Sequence, residues 1–195
     1  MRWRIGGGSA SWRLAKSLVS LLEQVDGVWP ENHRTDGTVG DLSHQARKSD
    51  HNPNTARVVT AADIGVYGLQ GSILISELVK ARDPRVKYII HRYRIWRSYP
   101  KPGLAAWTPT QYTGWNPHKD HVHISVSSTA SKYDNPAPWN INLGGDAMAF
   151  TEHEETVLKG IVAHIDAIGS DPSFVTYAVE LIRKERELPL HAHQP

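Results

Sequence analysis

The chain has 195 residues, enough to bury one sizeable core with room for a small appendage. Apolar residues make up 39% and charged residues 22%, as in an ordinary soluble domain, and a formal net charge of +2 gives no basic stripe to argue for nucleic acid. There is no cysteine, which excludes disulfides and thiolate metal sites, so any metal would rest on carboxylates and on some of the 11 histidines.

Residues 1–8 read as a loose arm. Arg2, Arg4 and Arg13 make the start basic, but Gly6-Gly7-Gly8 and Lys16 interrupt it. The apolar run near Leu18 to Leu22 is too short and too polar for a secretory core or a membrane span. The expectation is a soluble protein, made in a cytoplasm and delivered by other means to any substrate outside it. Trp12, Ala15, Leu18, Val19, Leu22 and Val25 recur at helical spacing, which predicts an amphipathic helix over 11–25 capped by Ser9 or Ser11. Residues 30–56 are rich in turn formers, and so long an irregular segment is usually functional. Val58 to Ile64 reads as a buried strand apart from Asp63. A carboxylate there is either paired, bound to metal, or a turn acid facing solvent. A second helix is predicted over 71–81, ended by Asp83-Pro84, followed by two strands, 86–91 and 93–96, around a tight turn. Residues 98–117 form a loop of Pro, Gly, Thr and Trp, either the wall of a cleft or a loop pinned by Trp107 and Trp115.

The stretch His118-Lys119-Asp120-His121-Val122-His123-Ile124-Ser125 then places three histidines and an acid within six residues. On a strand, His121, His123 and Ser125 share one face and Val122, Ile124 and Val126 the other. The apolar face can pack on a core while the imidazoles line a cleft, where neutral imidazole is a common metal ligand. The alternative is a polar loop with surface histidines. The order of elements predicts an α+β domain over 1–129: a small, mainly antiparallel sheet with flanking helices. Residues 130–150, with Asn135-Pro136-Ala137-Pro138 and Gly144-Gly145, read as a linker, and 151–195 as a C-terminal helical hairpin and tail. The hairpin's apolar faces complete a core, or serve self-association or surface binding.

Ser49-Asp50-His51, Ala61-Ala62-Asp63 and Asp120-His121-Val122-His123 together resemble the zinc peptidases of the D-alanyl-D-alanine carboxypeptidase and L-alanyl-D-glutamate endopeptidase family. That family pairs Ser-x-His with a downstream Asp, then a carboxylate three residues before a final His. The longer runs Ala46-Arg47-Lys48-Ser49-Asp50-His51-Asn52-Pro53 and Asn116-Pro117-His118-Lys119-Asp120-His121-Val122-His123 look like the version found in actinobacteria and their phages. The resemblance covers residues 11–128. Two departures stand out: the step from His51 to Asp63 is longer than usual, which requires a loop between them, and the acid at 120 is Asp where many relatives carry Glu.

The resemblance implies a zinc cleft with His51, Asp63 and His123 as metal ligands, leaving one position open for water, as catalytic zinc requires. It implies Asp120 as general base, on a bend before the strand. His121 could instead act as base or bind the oxyanion, and His118, completing an HxxHxH spacing, is a third candidate that could also contact substrate. Arg47 could hold a substrate carboxylate or form a surface salt bridge. The implied function is hydrolysis of peptide bonds in peptidoglycan, as a phage endolysin or tail-associated lysin, with the hairpin free to bind the wall. The alternatives are a non-catalytic tail protein with a structural metal and, disfavoured by charge, a metal-dependent nuclease.

Overall fold

Val122, Ile124 and Val126 alternate along β7 (His121–Val126), and all three are fully buried. That alternation sets the layout. The computed structural model describes residues 12–32, 36–38, 49–67 and 70–144, with Thr156 and Gly160. Among these, β7 lies near the middle of a five-stranded antiparallel sheet in the order β3-β7-β4-β5-β6, with β3 at Ala61–Gly65, β4 at Val86–His91, β5 at Arg94–Arg97 and β6 at Thr110–Gln111. The α+β expectation, with a mainly antiparallel sheet, agrees with this. The C-terminal hairpin falls outside the described residues.

Two helices cover the apolar face of the sheet. On α1 (Lys16–Val28) Leu18, Leu21, Leu22 and Val25 fall at i, i+3, i+4 and i+7 and are fully buried. On α2 (Gln70–Ala81) Leu74 and Leu78 do the same. They share a core with Ile64, Ile89 and Ile124. Each such aliphatic side chain contributes about 1.5–3 kcal/mol by leaving water. The opposite face of the sheet is left for polar residues, and the cleft lies there.

The first helix differs from its sequence expectation. It starts at Lys16, capped by Ala15, because Arg13–Leu14 pair as a short strand, β1, parallel to β2 (Val58–Val59). The run expected as one strand, 58–64, therefore divides at Thr60 between two sheets. The segment expected as a linker begins as part of the domain. A helical turn, α3 (Ala130–Tyr133), leads into a strap on which Trp139 and Leu143 are buried. The Trp139 indole N–H donates to Ser17 O at 2.8 Å, and the Arg85 guanidinium lies 4.2 Å from its ring centre. Arg85 also donates to the carbonyls of Asn135, Ala137 and Pro138, which satisfies a stretch whose prolines cannot join a ladder.

Two irregularities shape the polar face. The β4–β5 turn places Arg92 and Tyr93 at φ 42° and 64°, the primed geometry that matches strand twist, here without glycine or asparagine. In β4 the register with β7 shifts between Val86 and Tyr88. This bulge lets Val86 face the core and Tyr88 the cleft, two positions that a regular strand would put on one side.

Candidate metal centre

Asp63 and His123 are directly opposite each other on β3 and β7. Both point to the polar face because their neighbours Ala62, Ile64, Val122 and Ile124 belong to the core. His51 reaches the same place from the loop before β2. That loop is held by Thr60 N donating to Asp50 O at 3.1 Å and by the Ser49 hydroxyl accepting from His51 N at 3.2 Å. It supplies the extra chain that the long step from His51 to Asp63 requires.

Three atoms converge. His123 Nδ1 lies 2.9 Å from Asp63 Oδ1, His51 Nε2 lies 3.1 Å from His123 Nδ1, and His51 Nε2 lies 3.4 Å from Asp63 Oδ1. Tetrahedral ligands on bonds of about 2.0–2.1 Å stand about 3.3 Å apart, so the triangle has the size of one face of a zinc shell. Both histidines are buried. Their outer nitrogens are engaged: His51 Nδ1 with Thr38 O at 2.8 Å, and His123 Nε2 with Ser125 Oγ at 3.0 Å. His51 must donate to that carbonyl, which leaves Nε2 as a bare acceptor. Donation from His123 Nε2 to Ser125 leaves Nδ1 bare as well. Two imidazole lone pairs and a carboxylate then face one point, an arrangement that repels itself unless something positive occupies the centre. The buried cluster His51, Asp63 and His123 could hold a metal ion.

Protonation points the same way. Burial works to raise the Asp63 carboxyl, but hydrogen bonds and charge from His123 and His51 outweigh it and hold the group well below the usual carboxylate range. Burial likewise opposes charge on His51, yet Asp63 and the Thr38 carbonyl raise it; burial lowers His123.

The centre forms the floor of a cleft of about 390 Å³, with Tyr88, Tyr112, Trp115 and His118 among its walls. Trp115 is 73% exposed, so the loop over 112–118 brings an aromatic surface to the mouth. The β4–β5 turn anchors that loop. Arg92 N and Tyr93 N donate to His118 O and Pro117 O, each at 3.0 Å, and Tyr112 N donates to Tyr93 O. His118 sits at φ 54° and is buried, and burial, aided by the charge of His123 and His121, lowers its pKa to about 4. It is a neutral imidazole at pH 7.

His121 Nε2 lies 3.8 Å from Asp63 Oδ1. Among the described residues, neither it nor His118 Nδ1, both buried, has a hydrogen-bond partner. Asp63, His118 and His121 make a second cluster, but the two clusters share only Asp63 and do not merge into one group of four. Among the described residues, no shell closed by four protein ligands is formed. Asp120, the base expected from sequence, stands outside the cleft. Its side chain is 89% exposed and meets His121 Nδ1 at 2.6 Å. It reaches the centre only through that imidazole. Arg47, the expected carboxylate holder, lies outside the described residues.

Sequence reading missed the supporting groups. Buried His91 donates from Nδ1 to His121 O at 2.9 Å and so fixes the start of β7. Gly71 packs on it so closely that a Cβ would stand 2.6 Å from His91 Nε2. No periodicity marks such a contact. Ser125 was legible, two residues after His123 on the same face, but not its role. No helix among the described residues is long and apolar enough to cross a membrane. Comparison of the chain with family models, with curated proteins and with solved structures gave no match.

Proposed function

We propose that this protein is a zinc-dependent peptidase that hydrolyses peptide bonds in the stem peptides or cross-links of peptidoglycan, acting as a phage endolysin or tail-associated lysin. The observation that carries the metal is the triangle of His51 Nε2, Asp63 Oδ1 and His123 Nδ1, with both imidazoles oriented from behind. The substrate class rests on the likeness of Ser49-Asp50-His51, Asp63 and Asp120-x-x-His123 to the peptidoglycan peptidases.

Two neutral donors and one carboxylate leave a divalent ion with net positive charge, which supplies Lewis acidity toward a peptide carbonyl and toward water. The chain's own groups do the rest. His121 presents a bare, buried Nε2 toward Asp63, placed to accept the proton of the attacking water and return it to the leaving amine. Asp120 accepts from His121 Nδ1 and fixes the tautomer in which Nε2 is the base. His118, neutral and buried beside both, is placed to donate to the developing oxyanion. Tyr112 and Trp115 line the side on which a glycopeptide would lie.

The non-catalytic alternative needs a shell closed by a fourth protein ligand, and among the described residues the two histidine clusters stay separate. The test is digestion of purified peptidoglycan with and without chelator, with mass analysis of the released peptides. Chelator-sensitive appearance of new amino termini is the expected result. Termini that appear equally with chelator would defeat the metal mechanism, and none on several wall types would defeat the peptidase.

A further inference from the structure

Asp63, His118 and His121 each offer one ligand atom, and the three atoms lie within 4.8 Å of one another. His121 Nε2 stands 3.8 Å from Asp63 Oδ1, while its other nitrogen is taken up by Asp120 at 2.6 Å. The His118 and His121 rings lie 4.8 Å apart between centres. Among the described residues, His118 Nδ1 and His121 Nε2 are buried and meet no hydrogen-bond partner. A buried polar nitrogen left unpaired costs free energy, and here two of them belong to residues gathered around one carboxylate. His118 also sits at φ 54°, a backbone conformation in which Gly or Asn is ordinary. A histidine is held there against its preference, and it lines the cleft.

We infer that Asp63, His118 and His121 form a second, weaker site for a divalent cation beside the first, with Asp63 shared between the two, and that filling it turns the peptidase off. The site stands on these three residues; the inhibition rests on the peptidase reading above. An ionised carboxylate has two oxygens and about four lone-pair positions, so Asp63 can serve two cations. Ions in two-metal sites stand about 3.5–4 Å apart. Two imidazoles and a carboxylate are a donor set that Zn2+ accepts. Spacing makes this site the weaker one. Tetrahedral zinc ligands stand about 3.3 Å apart. The atoms of His51, Asp63 and His123 already have that spacing, at 2.9, 3.1 and 3.4 Å. Those of Asp63, His118 and His121 are spread more widely and must draw together. Two divalent ions so close also repel each other. The inhibition follows from which atoms are used. The His121 Nε2 lone pair that would take the proton of the attacking water is the one a second cation would bind. That cation would also occupy His118, the group placed at the oxyanion. Activity then rises as the first ion binds and falls as the second does.

The test is calorimetric titration of Zn2+ into the whole metal-free chain, for wild type, His118→Asn and His118→Gly, with peptidoglycan digestion at rising free Zn2+ beside it. Asn and Gly both suit the left-handed backbone at 118 and remove the imidazole. Wild type should show two events, one tight and one weaker. The variants should keep the tight event and lose the weaker. Release of new amino termini by wild type should fall by at least about a hundredfold as the weaker event saturates, whereas the residual activity of the variants should not fall. A single event in wild type would overturn the inference and leave the first centre intact. A weaker event that survives in both variants would assign it to others of the 11 histidines and overturn it too. So would wild-type activity that holds or rises through the weaker event. If neither variant folds, Co2+ in wild type decides: the second equivalent should shift the visible absorption of the first through the shared carboxylate, and two additive, independent spectra refute the bridge. If wild type binds Zn2+ but releases no termini, the peptidase reading fails and the titration alone decides the site. No binding at all would defeat the metal reading, and this site with it.

Discussion

Asp120→Asn separates the two roles open to that residue. Asn keeps the shape and can still accept from His121 Nδ1, so the substitution removes the charge and little else. A sheltered hydrogen bond to a charged group contributes about 1.5–3 kcal/mol. The Asp120 side chain is 89% exposed, however, and exposed ion pairs give about 0–1 kcal/mol. A loss of about 1 kcal/mol in the transition state follows, about fivefold in kcat. His121→Ala, which removes the proton-transfer group, costs about 10²–10⁴. The assay is the release of new amino termini from purified peptidoglycan at saturating substrate, with metal content checked in each variant. The expected pattern is a loss of severalfold for Asp120→Asn beside a loss of at least a hundredfold for His121→Ala, with melting unchanged in the former. Equal, severe losses in both would refute the reasoning and make Asp120 itself the base.

His123→Ala and Asp63→Asn should each weaken Zn2+ binding by at least about a hundredfold, since each removes one of three donors; isothermal titration reads this directly, and binding as tight as in wild type would remove the residue from the shell. Zn2+ at about a hundred times its Kd should stabilise the fold by about 2.7 kcal/mol and raise Tm by several degrees, whereas His123→Ala should show no rise. Burial lowers His91 from 6.5 to about 4. Below pH 6.5 the unfolded chain therefore takes up a proton that the folded chain refuses, so stability falls as pH drops through that window, by up to about 3 kcal/mol for this residue. In urea melts with chelator, the stability of His91→Leu relative to wild type should improve between pH 7.5 and 4.5; a constant difference would contradict this. Gly71→Ala should destabilise by about 1–3 kcal/mol, because its Cβ would meet His91 Nε2 at 2.6 Å, and an unchanged melt would show that the ring moves freely.

Sequence alone showed the β7 alternation because period two needs only neighbours: valines and isoleucines on one side, His121, His123 and Ser125 on the other. It also marked Asp63 as a carboxylate out of place in an apolar strand. What it could not show was pairing at a distance. Arg13–Leu14 become a strand only because Val58–Val59 lie beside them, and a two-residue strand has no period to read. Trp139 looked like part of a linker because Pro136 and Pro138 signal irregular backbone, and irregular backbone can still be buried when a guanidinium satisfies its carbonyls. Lys87 and Asp50 lie 37 positions apart and meet through a bulge that leaves no pattern. The placing of Asp120 outside the cleft depends on where the chain bends at the start of β7, which composition does not fix.

The facing of Asp63 and His123 across one rung of the β3–β7 ladder has a consequence for how the sheet is proofread. Sliding either strand by a single step would turn one of these side chains into the packed layer and take apart the seat for the ion. A bound cation would therefore reward only the right alignment, and because the residues at 51, 63 and 123 are so widely spaced, it could do so only after the strands had met. The ion would act as a late lock on an arrangement the apolar layer has already chosen, and could not seed it.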